Sequence, residues 1–405
     1  MEKHKESIGE NRQNAIPNAK TSGSRTPNVP ALRFPGFTEE WEEHYLAEYL
    51  DFKNGLNPNA NKFGSGIKFI SVMDILNNDF ITYDCIRTSV KITPEEQVAF
   101  AVEKGDMLFQ RSSETLEDVG RANVYMDDQP AVFGGFVIRG KKKTEYNPMF
   151  FRYLLASPYA RKKIIPMGAG AQHFNIGQDG LSKVRLHFPV LQEQHKIATL
   201  LRLIDDRIST QNKIIEDLKK LKSALYQEMF GSLVAPTSKL GQVAEIVKGK
   251  QVNGTELLEQ GDYYVMNGGT LPSGWLNKFN TEANTISISE GGNSCGYVQY
   301  NTSRYWSGGH CYSLKILHPQ EVSDLYLYHF LKWQEGNIMA LRIGSGLPNI
   351  QKKDLRHFPI ILPTITKQKS IISVLTAIDA KIACEVSLTE YYTMQKDFLL
   401  RDLFI

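Results

Sequence analysis

The sequence predicts an α+β fold organised as an internal repeat: two mixed globular domains, each followed by one long helix. Three observations lead there. The back half of the chain repeats itself at an offset of 174 residues. Two long stretches carry a coiled-coil period without Gly or Pro. The segments before them read as short strands and helices broken by Gly, Asp and Pro.

The repeat is seen in Gly134-Gly135 returning as Gly308-Gly309, Gly170 as Gly344, and Asn175-Ile176 as Asn349-Ile350. Leu181, Pro189, Gln194, Ile197 and Leu201 return as Leu355, Pro363, Gln368, Ile371 and Leu375, and Ile204-Asp205 as Ile378-Asp379. Identity between the copies is low, so the argument rests on a register held over roughly a hundred positions. A duplicated unit implies two similar sites, and so a target with two halves.

In chain order, residues 1 to 30 are polar and rich in Asn, Ser, Lys and Pro, and are expected to be disordered because they cannot bury enough surface to offset ordering entropy. Residues 31 to 187 form the first mixed domain. Ile67–Met73, Asp106–Phe109 and Ala131–Ile138 suit strands. Pro148–Ala156 and Tyr159–Ile165 suit helices.

Residues 188 to 235 hold the first long helix. Ile197, Leu201, Ile204, Ile208, Gln211, Ile215, Leu218, Lys222 and Leu225 recur in steps of three and four, which marks a helix packed lengthwise on another. Pro189 and Gly231 punctuate its ends. About 39 residues at 1.5 Å each give a rod of roughly 58 Å.

Residues 236 to 361 form the second mixed domain. Its opening, Val243-Ala244-Glu245-Ile246, echoes Leu46-Ala47-Glu48-Tyr49 at an offset of 197, which gives the first domain 23 extra residues ahead of Gly134. Residues 362 to 405 hold the second long helix, with seam positions Ile371, Leu375, Ile378, Ile382, Glu385, Tyr392, Lys396 and Leu399. Polar residues recur at two equivalent seam positions, Gln211/Glu385 and Lys222/Lys396. A polar group there weakens a seam but excludes misaligned registers.

Composition sets further bounds. A chain of 405 residues with 41% hydrophobic and 22% charged residues is long enough for two or three soluble domains. No apolar run approaches the roughly 20 residues of a membrane span, and the start, Met1–Glu6, lacks a secretory pattern. The expectation is a cytoplasmic protein without a membrane. Cys85, Cys295, Cys311 and Cys384 show no metal-ligand spacing and are read as plain thiols, with no metal site. The net charge of +3 permits a nucleic-acid partner without demanding one, although basic residues gather at Lys141–Lys143, Arg161–Lys163, Lys248/Lys250 and Lys352-Lys353.

Arg33-Phe34-Pro35-Gly36-Phe37, then Trp41 and Leu46-Ala47-Glu48, resembles the start of the specificity subunits of type I restriction–modification systems. So does each junction into a long helix. The first is Asn175-Ile176, Leu181 and Phe188-Pro189-Val190-Leu191-Gln192-Glu193-Gln194. The second is Gly344-Ser345-Gly346-Leu347-Pro348-Asn349-Ile350, Leu355, Pro363 and Gln368, with Lys367 where the first has Glu193. The resemblance covers nearly all of the chain from about residue 31.

It implies two target-recognition domains, each binding half of a split, asymmetric double-stranded DNA site, held apart by two long antiparallel helices in a coiled coil with pseudo-two-fold symmetry. This chain would be a non-catalytic reader without a cofactor. Two methylation subunits, using S-adenosylmethionine, and restriction subunits, using ATP and magnesium, would methylate adenine and cleave. A rod of roughly 58 Å matches about 17 base pairs, enough to seat two domains about one helical turn apart.

Single catalytic motifs give way to structural readings. Asn147-Pro148-Met149-Phe150 is similar to the Asn-Pro-Pro-aromatic loop of adenine methyltransferases, but lacks the second Pro and a cofactor motif; a helix entry is expected. Gly292-Asn293-Ser294-Cys295-Gly296 fits a nucleophile elbow in spacing, yet lies between two apparent strands, Thr285–Ser289 and Tyr297–Tyr300, so a hairpin turn is expected. Lys248-Gly249-Lys250-Gln251 lacks the hydroxyl residue of a phosphate loop.

Candidate DNA contacts are Arg111, Ser112, Ser113 and Arg121 in the first domain. In the second they are Lys248, Lys250, Asn267, Asn293, Ser294 and His310, with Arg342 and Ser345 beside the Gly-rich turn. Arg pairs bidentately with guanine, Asn with adenine, and Lys mainly neutralises phosphate. The alternative reading is a coiled-coil scaffold with two protein-binding domains. It accounts for the rods but not for the basic clusters or the Arg33–Phe37 string.

Overall fold

The computed structural model describes residues 28–170, 172–344 and 346–405. The segment expected to be disordered lies outside the described residues except for its last three, as does the candidate Ser345. The chain forms two compact units. One is the described part of Met1–Asp206 together with Thr393–Ile405; the other is Arg207–Tyr392. Each long helix, Leu191–Gly231 of 41 residues and Ile365–Asp402 of 38, therefore contributes to both. Among the described residues no helix is long and apolar enough to cross a membrane, and no cluster of metal-ligating side chains occurs.

The first unit is built on an antiparallel four-stranded sheet in the order Leu50–Asn54, Val137–Lys142, Met107–Gln110, Ala122–Val124. Met107–Gln110 is buried at all four positions, as a central strand covered on both faces must be. A second sheet places Phe63–Ile70 antiparallel to Ser89–Val90 and parallel to Val132–Phe133. The second unit repeats both. Ala244–Lys248, Cys311–Ile316, Thr285–Ser289 and Val298–Asn301 form its four-stranded sheet. Tyr263–Met266 lies antiparallel to Trp275–Leu276 and parallel to Trp306–Ser307.

Local signals explain several boundaries. The expected strand Ile67–Met73 stops at Ile70, because the Ser71 amide and hydroxyl both donate to Asp74 at 2.7 Å and cap a helix over Val72–Asn77. The expected strand Ala131–Ile138 is two strands: Gly134–Phe136 turn the chain from one sheet into the other. Asn147 caps Pro148–Ala156 by accepting from the Phe150 amide, with Pro148 at the first helical position, so the Asn-Pro string is a helix entry. Gly292–Gly296 turns between antiparallel strands, as a hairpin should.

The echo at an offset of 197 is a correction. Leu46–Tyr49 is a helical turn whose counterpart is Leu240–Val243, at an offset of 194: the Leu46 amide donates to Val184 and that of Leu240 to Phe358. The string match aligned a helical Ala47 with Ala244, which begins a strand. The first unit therefore carries 20 extra residues ahead of Gly134 rather than 23. The repeat drifts because loops, not sheets, absorbed the insertions.

In the second unit one apolar core joins sheet, helix and rod, with Ile286, Ile288, Leu314, Tyr326, Leu327 and Phe330 against Tyr226, Phe230, Ile371 and Leu375. His329 is buried there, 3.0 Å from the Tyr226 hydroxyl. Burial first, then the nearby Lys222 charge, pushes its pKa from 6.5 down to about 4. The unfolded chain takes up a proton near pH 6.5 that the folded one refuses. Stability is therefore full above that pH and falls as pH drops toward 4. His329→Gln is expected to flatten this acid limb in urea unfolding followed between pH 7 and 4. An unchanged slope would assign the acid loss to other groups.

Candidate nucleic-acid interface

The two rods meet along the seam read from the sequence. Ile197, Leu201, Ile204 and Gln211 are buried, and Ile208, Leu218, Lys222 and Leu225 half-buried. On the second helix Ile371, Leu375, Ile378, Glu385 and Leu399 are buried, with Ile382, Tyr392 and Lys396 half-buried. Polar seam residues pair across helices. In the second unit the Gln211 amide donates to Glu385, which Lys381 also approaches, and Lys222 bridges Asp379. Moving forward from Gln211 to Lys222 moves backward from Glu385 to Asp379, so the helices are antiparallel.

The first unit contains the mirror-image pair, Lys396 with Asp205. Asp205 is Asp379's equivalent and Lys396 is Lys222's, so one pair recurs with its partners exchanged. Gln211 and Glu385 are each other's equivalents. Asp205 and Asp379 were not among the predicted seam residues, though the repeated Ile-Asp string was the signal for them. Asp205 also accepts from the Tyr153 hydroxyl at 2.6 Å. A buried carboxylate needs such partners.

A second constellation occurs once in each unit, where the Gly-Gly turn crosses other strands. In the first unit the amide of Gly55 donates to Val137, Leu56 to Phe133, Gly134 to Ile70, Arg111 to Phe136, and Ile176 to Arg111. In the second, Gly249 donates to Cys311, Lys250 to Ser307, Gly308 to Met266, Glu290 to His310, and Ile350 to Glu290. The crossing is tight: a Cβ on Gly55 would lie 2.1 Å from the Gly134 carbonyl oxygen, and one on Gly249 lies 2.2 Å from that of Gly308. The equivalence of Gly55 and Gly249 escaped the sequence reading because they are 194 residues apart, outside the register of the repeat.

The structure gathers some predicted contacts at this crossing and leaves others apart. Arg111 is half-buried, with Nη1 3.3 Å from the Gly135 carbonyl oxygen. Ser112 Oγ contacts Asn175, and the Ser113 hydroxyl is buried, accepting from the Thr115 amide. Arg121 pairs with Asp118 at 2.7 Å and lines a separate cavity of about 390 Å³ with Arg152 and Arg161. Within it Arg161 donates to the Glu117 and Val119 carbonyls, and burial pushes its pKa down to about 10.

In the second unit Lys248 bridges Glu290 at 2.7 Å, the Tyr312 hydroxyl donates to the same carboxylate at 2.9 Å, and His310 Nδ1 stands 3.9 Å away. The Asn267 side-chain oxygen accepts from the His310 amide at 3.2 Å. The Lys250 carbonyl accepts from the Trp306 indole, leaving the ammonium group exposed. Asn293 is exposed and Ser294 half-buried in the hairpin turn, and Arg342 is exposed beside the Ile343–Asn349 bridge. Glu290 and Phe136 were missed: an acidic and an apolar residue carry no sequence signal for an anionic ligand.

Known proteins resemble this chain in sequence and in fold. A protein of Methanocaldococcus jannaschii assigned as the MjaX type I restriction enzyme specificity subunit is 24% identical over 382 residues, 84% of this chain and 87% of that one. A protein of Mycoplasma pneumoniae assigned as a type I specificity subunit is 36% identical over 166 residues, 41% of this chain; that alignment spans under half of the relative, 44%. In fold, the chain is similar to the crystal structure of a type I restriction–modification S subunit from M. genitalium, with TM-score 0.62 and 19% identity over 93% of this chain and 99% of that one. It is also similar to a chain from a study of complex assembly in the type I system, with TM-score 0.57 and 16% identity over 90% and 98%. The model of the type I restriction modification DNA specificity domain matches twice, over residues 38–220 and 236–390. Each match takes in one unit's sheets and much of a rod, and together they cover most of the chain, which therefore belongs to the type I restriction–modification specificity family.

Proposed function

We propose that each unit reads one half of a split, asymmetric DNA site and that the helix pair acts as the spacer between the halves. The observation that carries this reading is the reciprocal seam pairing, Lys222 with Asp379 and Lys396 with Asp205. The same ion pair recurs in each unit with its helices exchanged, so two units of different surface chemistry stand on like supports. The chain itself acts as a reader. Adenine methylation with S-adenosylmethionine, and cleavage with ATP and magnesium, reside in methylation and restriction subunits that assemble on it in the cytoplasm. The predicted contacts Arg121, Asn293, Ser294, Arg342 and Ser345 serve as further phosphate or base contacts.

Coexpression with the cognate methylation subunit, followed by mapping of modified adenines in the host genome, tests this directly. The expected result is one motif with two specified halves and an unread spacer. DNA binding by the purified complex should weaken steeply between about 50 and 200 mM salt. A single uninterrupted motif, or no modification, would overturn the reading.

A further inference from the structure

The two crossings share one backbone and differ in chemistry at the same places. Matching hydrogen bonds make Arg111 the counterpart of Glu290, and Phe136 that of His310: the amides of Arg111 and Glu290 donate to the carbonyls of Phe136 and His310. By strand register, Asn54 corresponds to Lys248. These side chains surround the tight glycine contact, where the backbone is held from several strands and has little room to shift. Matched backbone hydrogen bonds do not by themselves call for a cation in one copy and a carboxylate in the other.

The difference is large in kind. In the first unit Phe136 is 67% exposed and borders an apolar groove with Phe63 and Met73, both exposed, beside the Arg111 guanidinium. Exposed apolar side chains gathered on one groove, rather than scattered singly, mark an interaction surface. In the second unit the corresponding surface carries Lys248 and His310, both exposed, gathered around the Glu290 carboxylate. Sites on rigid elements hold reading groups more accurately than mobile loops.

We infer that this crossing is where each unit discriminates its half-site, with Arg111 and Phe136 as readers in the first and Lys248 and His310 in the second. Glu290 is a positioning residue that holds the ammonium and faces the imidazole. The inference rests on the half-site reading proposed above. Arg111 offers the donor fork that suits the paired acceptors of a guanine edge, while Phe136 offers an apolar face for a thymine methyl. Lys248 and His310 supply donors without that apolar face. The two half-sites therefore differ by chemistry built into one shared frame.

The test is methylation mapping of the full complex carrying Arg111→Ala, Phe136→Ala, His310→Ala or Glu290→Gln. Arg111→Ala and Phe136→Ala should each relax base preference at one or two positions of one half by roughly tenfold or more, leaving the other half unaltered. His310→Ala and Glu290→Gln should relax the opposite half, the isosteric Gln showing that charge and not shape is at issue. If Phe136→Ala fails to accumulate, Phe136→Leu keeps the apolar volume and Phe136→His installs the second unit's residue; a changed base preference with His but not Leu is the expected result. Variants that keep the wild-type motif, or weaken every position of both halves equally, would overturn the inference while leaving the half-site reading intact. A wild-type complex without a bipartite motif would overturn both.

Discussion

Removing one heptad from each long helix together, Ile208–Ile214 with Ile382–Leu388, is expected to shorten the unread spacer and leave both half-sites unchanged. Seven residues span about 10.5 Å of helix, so the change is at most about three base pairs. The matched deletion keeps the seam in phase, because seven residues are one full period. It also keeps both ion pairs, Asp205–Lys396 and Lys222–Asp379, and removes the buried Gln211–Glu385 contact as a unit. The same deletion in one helix alone puts those ion pairs seven residues out of step, and loss of methylation is expected. Methylation mapping reads both results. A matched deletion that alters a half-site, or a single deletion that methylates normally, would show that the rods do not set the spacing.

Arg33→Ala is expected to destabilise the first unit by about 3–5 kcal/mol. Arg33 meets Glu193 through two hydrogen bonds of 2.8 Å, and the Glu193 side chain is fully buried at the start of the long helix. Removing the guanidinium leaves a carboxylate with neither solvent nor a counter-charge. The Arg33→Met, Glu193→Leu double variant should recover most of the loss, because two apolar groups leave no unpaired charge. Denaturant unfolding of the wild type, Arg33→Ala and the double variant measures it. If Arg33→Ala alone costs under about 1 kcal/mol, water reaches Glu193 and the pair is a surface contact in energetic terms.

That pair also explains why the helix junctions differ at Glu193 and Lys367. Gln194 and Gln368 play the same part: each side-chain oxygen accepts from a helix-entry amide, Asn147 or Ser323, and each amide donates to Pro189 or Pro363. Their neighbours differ because only Glu193 faces an arginine delivered by the segment ahead of Trp41. Lys367 is exposed and answers no such partner.

Periodicity made the rods legible, since a seam repeats locally and the burial of Ile197, Leu201 and Ile204 follows from spacing alone. The Asn147 cap and the Gly292–Gly296 turn were legible for a similar reason: each is a contact between near neighbours in the chain. The proposed reading surfaces were legible only in part. Arg111, Lys248 and His310 could be chosen by residue type, whereas Phe136 and Glu290 gain meaning only from what stands beside them.

Sequence by itself determined the duplication, the two long helices, their heptad register and the family, because these rest on order, spacing and local hydrogen bonding. Tertiary structure alone decided that Asp205 answers Lys396 as Asp379 answers Lys222, that Arg33 neutralises a carboxylate 160 residues away, and that Arg111 and Glu290 occupy the same place in two frames. The physical reason is that loops of unequal length shift the numbering between copies without moving the sheets. Equivalence in space is then carried by backbone hydrogen bonds, which leave no trace in the identity of the residues that make them.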